Sequence, residues 1–402
     1  MTLKRDKSKR YDVVIVGGLG HVGLPLGLAF AEKGLKVCLY DKDSKNGALV
    51  RKGIMPFIEY GAEPLLKKLI KKTETLTISS DIREVSNARY VIIAIGTPVD
   101  EYLNPNVRIF LEFFIGIKKY LRKTQTIIIR STIYPRTCQQ IMKIIGRDML
   151  LAYCPERIAQ GYAIRELKKL PQIVAGITPK AQHSAAKLFG FIAPKIIKTS
   201  MENAELAKLF SNAWRYIQFA VANQFYMIAN DFNLDFNKVR QVISEEYGRA
   251  ADIPPAGFAA GPCLLKDTMQ LAAFNNNNFF LGHAAMMVNE GLPNFIVEDL
   301  RQRHRDIGKK KVGILGMTFK ADIDDIRDSL SYKLGKILRF HGAKVFYSDE
   351  YAKDPSFVSK QDLIKACDIV IVGVPHSTYR KLKIPKSVEL IDLWSIIGGT
   401  KK

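Results

Sequence analysis

The chain has 402 residues, 47% hydrophobic and 25% charged, which excludes a disordered polymer and predicts a soluble, globular protein of two or three domains. Its formal net charge of +22 admits nucleic acid, an anionic membrane surface or an anionic small substrate. The lysines are scattered through "LLKKLIKK", "ELKKL", "GKKK" and "YRKLK", a pattern of solvated helix surfaces that argues against nucleic acid.

Residues 1–10, "MTLKRDKSKR", form a basic extension with no apolar signal-peptide region. "DVVIVGG" (12–18) is a buried-strand pattern, followed by a glycine turn, the helical pattern "HVGLPLGLAFAEKG" and a second strand, "KVCLYD" (36–41). Strand, helix, strand is the opening of a doubly wound parallel sheet. "YVIIAIGTP" (90–98), "QTIIIRST" (125–132), "PQIVAGI" and "KIIKTS" extend the sheet, giving a first domain over 11–200.

The alternation then stops. From Ala204 to about Arg305 the pattern is helical, led by "NAELAKLFSNAWRYIQFAVANQFYMIANDF", so 201–306 reads as a central helical region. That long run carries Leu206, Leu209, Phe210, Trp214, Ile217, Phe219, Val221, Phe225 and Met227, more apolar surface than one helix face hides. A second copy of the helix is the expected cover, giving a homodimer or higher homo-oligomer. Strands resume at "KKVGILGMTFK" (310–320), "AKVFYSD" (343–349), "CDIVIVGVP" (367–375) and "VELIDLW" (388–394), forming a shorter domain over 307–402. The predicted fold is α/β: two doubly wound, Rossmann-like domains joined by a long helix and a central all-helical region.

Gly18, Gly20 and Gly23 make G-x-G-x-x-G between the first strand and helix. The first glycine is expected to permit the tight turn. The second lets a pyrophosphate approach the backbone, and the third lets the helix pack on the strand. Asp41, at the end of the second strand, is placed to accept hydrogen bonds from an adenosine ribose and to repel a 2′-phosphate. NAD is therefore the expected cofactor, although Lys42 and Lys45 stand nearby.

Five cysteines (Cys38, Cys138, Cys154, Cys263, Cys367) are widely spaced, with no C-x-x-C pair, which fits free thiols in the reducing cytoplasm. No apolar run approaches the roughly 18 residues of a transmembrane helix. The six histidines show no i, i+4 pair and no Cys/His cluster, so a zinc dehydrogenase is not expected. Four cysteines read as packing. Cys263, in "GFAAGPCLLKD" (257–267), reads either as a buried thiol in a glycine-rich turn or as a nucleophile approached closely by a ligand. Lys208 and Asn212 lie four apart and share one face of the long helix, with Arg215 after them. Tyr332 and Lys336 make a Tyr-x-x-x-Lys, which reads as surface helix.

"GxGxVGLPL", "GTP", "STxxP", "PERI", the Lys-x-x-x-Asn helix, the glycine-rich cysteine with Lys-Asp and "TFKxxxxDxRxS" occur here in order. Together they resemble the UDP-glucose/GDP-mannose dehydrogenase superfamily over nearly the whole chain. That resemblance implies a four-electron oxidation of the C6 hydroxyl of a UDP-sugar to a carboxylate, with two NAD⁺ reduced, for polysaccharide or glycan precursor synthesis. It implies Cys263 as nucleophile, Lys208 and Asn212 at the oxyanion, and Asp267 in a water or proton relay. Thr132 and Glu156 would position water, and Lys266 would favour the thiolate. Gly18, Gly20, Val22, Gly23, Asp41, Thr97, Thr132, Lys266 and Arg327 would hold the cofactor. The substrate would meet Glu156, Arg157, Lys208, Asn212, Gly257, Phe258 and Lys320, and also Arg249 reaching over from a neighbouring subunit.

The cysteine loop departs from the family's usual "GFGGSC", and Gln224 stands where many relatives carry Glu. "CPERI…ELKKLPQIVAG" (154–176) resembles the branch acting on UDP-N-acetylglucosamine or UDP-N-acetylmannosamine, where Arg157 could donate to an acetyl carbonyl. UDP-glucose oxidation is the alternative. A one-step hydroxy-acid dehydrogenase, or a non-catalytic dinucleotide-binding scaffold, is the alternative of another class.

Overall fold

The computed structural model describes residues 10–71, 75–97, 99–100 and 106–397. Residues 1–9 of the basic extension and Pro98 of the "GTP" motif lie outside the described residues. The chain divides into two compact units, Met1–Phe210 and Ser211–Lys402.

The first unit is built on an eight-stranded sheet. Its strands are β1 (Tyr11–Val16), β2 (Val37–Tyr40), β3 (Leu76–Ser79), β4 (Ala88–Ile93), β5 (Thr126–Ile129), β6 (Leu150–Tyr153), β7 (Gln172–Gly176) and β8 (Ile196–Thr199). Their order is β3-β2-β1-β4-β5-β6-β7-β8. The inner strands read as continuous apolar runs because both faces are covered. Val13 and Ile15 enter one core with Leu24 and Leu28, while Val14 and Val16 enter another with Phe110 and Phe114.

From β3 to β6 every pair is parallel, so these strands share one carboxyl edge. The order reverses between β1 and β4, the switch point where doubly wound sheets bind ligands. The glycine turn follows β1 on that edge, Asp41 follows β2, Thr97 β4, Thr132 β5 and Glu156 β6. The sheet departs from the all-parallel expectation at β7, which runs antiparallel to β6. A parallel return needs a crossover element, and the helix in this connection, Ala163–Glu166, rises only about 6 Å.

The second unit holds β9 (Lys311–Leu315), β10 (Lys344–Ser348), β11 (Ile369–Val372) and β12 (Glu389–Ile391), all parallel, in the order β10-β9-β11-β12. The long helix Met201–Asp231 runs on into this unit, which adds helices Phe236–Ser244, Leu264–Phe274, Phe280–Arg303, Leu330–Phe340 and Lys360–Ala366. Leu292, Ile296 and Leu300 of helix Phe280–Arg303 share one core with Leu334, Leu338, Ile314 and Ile371. The helices after Phe210 and the C-terminal sheet are thus one folding body. Among the described residues, no helix is long and apolar enough to cross a membrane.

Candidate active site

The glycine turn divides its labour differently from the sequence expectation. Gly17, with φ +78°, makes the left-handed turn, and the N–H groups of Gly17 and Gly18 donate to the Tyr40 carbonyl at 3.0 and 2.9 Å. Gly18 is needed for another reason: a Cβ there would lie 2.8 Å from Leu39 Cα. At Gly23 a Cβ would meet the Gly17 carbonyl oxygen at 2.1 Å, so helix Gly23–Glu32 closes on the turn only without a side chain. Gly20 is open, its nearest neighbour 3.7 Å from a built Cβ, and Val22 caps the helix. An open glycine before a ten-residue helix suits a pyrophosphate on unpaired N–H groups.

Asp41 is half-buried. Its Oδ2 accepts from Leu19 N–H at 3.0 Å and its Oδ1 from Asp43 N–H at 3.2 Å, so it fastens the glycine turn to the end of β2. These residues fit the adenosine half of NAD.

At the ends of β5 and β6 the structure adds a residue that sequence reasoning missed. Arg130 is 1% exposed and pairs with Glu156, itself buried. Its Nη1 also donates to the carbonyls of Cys154 and Pro155, at 3.0 and 3.2 Å, and to Gln172 Oε1 at 2.5 Å. A buried ion pair held by three further acceptors at Nη1 fixes position, and breaking it leaves an uncompensated charge. The signal in the sequence is an arginine closing an apolar strand, "TIIIRST". Thr132 stands half-buried two residues on, after Ser131, whose hydroxyl donates to the Ile95 carbonyl at 2.6 Å. The Arg157 guanidinium donates to the Pro171 carbonyl, and Arg157 lines a small cavity with Arg130, Glu156 and Pro171.

In the second unit, Cys263 is exposed and caps the N-terminus of helix Leu264–Phe274. The loop before it is held by glycines and an asparagine. Gly261, at φ +101°, lies against the Phe319 ring, where a Cβ would come within 2.5 Å. Gly257 faces Trp394 just as closely. Both backbone groups of Gly257 are bonded by Asn223, which accepts its N–H at 2.8 Å and donates to its carbonyl at 3.0 Å. Phe258 is buried among apolar side chains, so neither residue turns its polar groups or ring outward.

Asp267 has no exposed surface. Its Oδ2 accepts from Asn212 Nδ2 at 2.5 Å, and its Oδ1 faces Lys266 Nζ at 2.8 Å. Lys266 therefore neutralises Asp267. Lys208, buried, sits one helical turn before Asn212. Arg327 forms a two-pronged pair with Asp325, which raises its pKa, and the field of Cys263 adds to that rise. Lys320 is half-buried in the loop after β9, and Arg249 is exposed over the Tyr247 ring. Cys38, Cys138, Cys154 and Cys367 are buried, and burial pushes their thiols up, to about 12 for Cys38 and Cys154 and about 11 for Cys367.

Three family models match in register with this geometry: the NAD-binding domain over residues 12–191, the central domain over 202–290 and the UDP-binding domain over 313–398. The chain belongs to the UDP-glucose/GDP-mannose dehydrogenase family. It is an NAD-dependent nucleotide-sugar dehydrogenase. A UDP-N-acetyl-D-mannosamine dehydrogenase of Methanococcus maripaludis is 27% identical over 390 residues, 94% of this chain and 90% of that protein. In fold, the chain matches the UDP-D-ManNAc dehydrogenase structure from Pyrococcus horikoshii with a TM-score of 0.87 at 24% identity, over 96% of both chains. It matches a UDP-glucose dehydrogenase from Pyrobaculum islandicum with a TM-score of 0.88 at 22% identity, over 97% and 96%.

The dehydrogenase should expose one reactive thiol. At pH 8 a colorimetric thiol reagent should titrate one cysteine in the native protein and five in denaturant, and Cys263→Ala should abolish the native signal. A second native equivalent would contradict the burial of the other four. Asp41→Asn keeps an acceptor for Leu19 N–H but removes the charge. It should weaken NAD and narrow the preference over NADP by roughly tenfold, the worth of one like-charge contact near the surface. The ratio of kcat/KM for the two cofactors measures this, and an unchanged ratio would remove Asp41 from cofactor selection.

Proposed function

We propose that this enzyme oxidises C6 of a UDP-N-acetylhexosamine, UDP-N-acetylmannosamine or UDP-N-acetylglucosamine, to the carboxylate through a thioester on Cys263. The observation that carries the reading is the exposure of Cys263 at a helix N-terminus, where the dipole favours a thiolate, while the other thiols are buried. The name of the M. maripaludis relative favours the mannosamine sugar. The product would serve polysaccharide precursor synthesis, and free thiols suit a cytoplasmic enzyme.

NAD⁺, when bound, supplies the acceptor for the hydride lost at each oxidation. The C6 alcohol first loses a hydride and a proton to give the aldehyde, which has no second hydride to lose until a nucleophile adds. Cys263 sulfur then bonds the aldehyde carbon, and the oxygen takes a proton to give a thiohemiacetal. Loss of the second hydride and the hydroxyl proton leaves a thioester. Water attacks its carbonyl, the C–S bond breaks, and carboxylate and free thiol remain. Lys208 and an N–H of Asn212 would stabilise the oxyanion of each addition. Asp267, bonded to Asn212, would hold that amide in place and relay a proton. Glu156, fixed by Arg130, would position the water with Thr132. Lys320 would meet the substrate diphosphate.

Cys263→Ser should lose the full reaction, because a hydroxyl is a far weaker nucleophile than a partly ionised thiol near neutral pH. Slow aldehyde formation or a trapped adduct is the expected residue of activity. NADH counted per UDP-sugar consumed decides it: Cys263→Ala still yielding two would reject the thioester. A panel of UDP-GlcNAc, UDP-ManNAc and UDP-glucose tests the sugar, and highest kcat/KM on UDP-glucose would reject the N-acetyl reading.

We further propose a two-fold dimer that shares its active sites. Phe210, Trp214, Val221, Phe225 and Ile228 recur three, four or seven residues apart along the long helix, and Phe210 and Trp214 are 54% and 60% exposed. An apolar stripe of that length, uncovered in one chain, suits an isologous contact. Arg249 would then serve the partner's substrate. Mixing inactive Arg249→Ala and Cys263→Ala chains under subunit exchange should return part of the activity. A strictly monomeric mass, or no recovery despite proven exchange, would reject it.

A further inference from the structure

The loop after β9, Gly316–Ser329, carries Lys320 and Arg327 and bends three times through left-handed backbone, at Gly316 (φ +90°), Asp322 (φ +60°) and Asp328 (φ +53°). Two of these bends are at non-glycine residues, so the loop needs external fastening to keep its path. Part of it is local: Thr318 hydroxyl donates to the Lys320 carbonyl at 2.8 Å, and Ser329 hydroxyl to the Thr318 carbonyl at 3.0 Å.

The rest comes from across the switch point of the second sheet. His376 follows β11 and has no exposed surface. Its Nδ1 accepts from Asp322 N–H at 2.9 Å, which puts the ring proton on Nε2, 3.0 Å from Asp349 Oδ2. Tyr351 and Tyr379 enclose the ring, with centroids at 4.8 and 5.2 Å. Next in sequence, Ser377 donates to Asp322 Oδ1 from both its N–H, at 2.8 Å, and its hydroxyl, at 3.0 Å. Asp349 in turn accepts from the N–H groups of Met317 and Thr318 at 2.6 and 3.1 Å. Both ends of the segment 317–322 are therefore pinned by one buried His–Asp pair.

We propose that His376, as the neutral Nε2–H tautomer, is a positioning residue for nucleotide-sugar binding. It latches the strained bend at Asp322 so that Lys320 is presented to the diphosphate. This rests on the reading of Lys320 as a substrate contact. The atom that matters is the acceptor at Nδ1. In His376→Asn the side-chain carbonyl stands at the Nδ1 position and keeps the latch. His376→Gln reaches the Nε2 position instead and serves Asp349 alone. Asp322→Gly tolerates the positive φ but removes the carboxylate held by Ser377, loosening the same bend from the other side with a residue that is not in the core.

The test uses the full chain, with calorimetric titration of UDP and hydrogen exchange over residues 317–328 in the free protein. His376→Ala, His376→Gln and Asp322→Gly should each raise the Kd for UDP by about tenfold, the worth of one net hydrogen bond, and speed exchange across the segment. His376→Asn should stay within about threefold of wild type on that scale. In turnover the loss should fall on the KM for UDP-sugar, with kcat little moved. If His376→Ala folds poorly, Asp322→Gly still carries the comparison. Wild-type Kd and exchange in Asp322→Gly would overturn the latch, as would Asn performing no better than Gln. Failure of UDP to bind the wild type would overturn the substrate reading of the loop and the proposal with it. Binding in the wild type with unaffected variants would overturn the latch alone.

Discussion

The second unit is organised around a carboxylate sealed from water. Asp267 has no exposed surface, and a charge in that setting must be matched by donors or neutralised. Its matching donors come from two places: Asn212 on the long helix and Lys266 in the preceding residue. Its own N–H closes the first turn of its helix onto the Cys263 carbonyl at 2.8 Å. One buried charge thus fixes the long helix against the thiol-bearing helix and sets where the thiol emerges. None of these positions is free to vary alone, since losing one partner leaves the charge uncompensated. This accounts for lysine, asparagine and aspartate occurring as a set, with Cys263 joined to it through its backbone carbonyl.

The two parallel sheets show how one topological position serves opposite ends. Asp41 and Asp349 each follow the second strand of their sheet, and each accepts backbone N–H groups from the turn after the first strand. Asp41 stays half-buried, with surface left for a ribose. The side chain of Asp349 has no exposed surface and is held by His376 and by four backbone N–H groups, from Met317, Thr318, Tyr351 and Ala352. An acid committed to that many internal donors has no capacity for a ribose. The second sheet keeps the parallel strand plan of the first but commits its acid to holding a loop.

What was legible in the sequence follows from range. The buried strands β1, β4, β5, β9 and β11 are runs of Val and Ile whose meaning is local, and so is the glycine turn. The cysteine loop stands out in the sequence because small residues around a thiol are unusual, and the structure decides between its two readings only in leaving that thiol exposed. β3 has only "LTIS", too short and too polar to stand out, and it is recruited by pairing along β2. The reversal at β7 depends on a connection too short in helix to cross over, which strand patterns alone do not show. Arg130 and His376 were passed over because each is one polar residue beside an apolar run. Their partners, Glu156, Gln172, Asp322 and Asp349, are 26, 42, 54 and 27 residues away. The turn at Gly17 was assigned to its neighbour because spacing identifies the motif but not which glycine takes the positive φ.

The same constraint of burial decides which sulfur is available for chemistry. Five free thiols begin with nearly equal intrinsic reactivity, and the fold separates them by burial. Four lie in strand or helix packing, where the charged form is penalised and reagents have no approach; Glu205 beside Cys138 raises that thiol further. Cys263 is the exposed one, at the N-cap of helix Leu264–Phe274, directly after Gly261 and Pro262. Gly261 has to be glycine because Phe319, from the loop that follows β9, fills the space a side chain would take. The segment that leads into Cys263 and the loop after β9 are therefore seated on each other, through this contact and through the Gly261 N–H bonded to the Asp328 carbonyl at 3.3 Å. A change that loosened the loop would alter the surroundings of the thiol as well, so thiol and loop are constrained together.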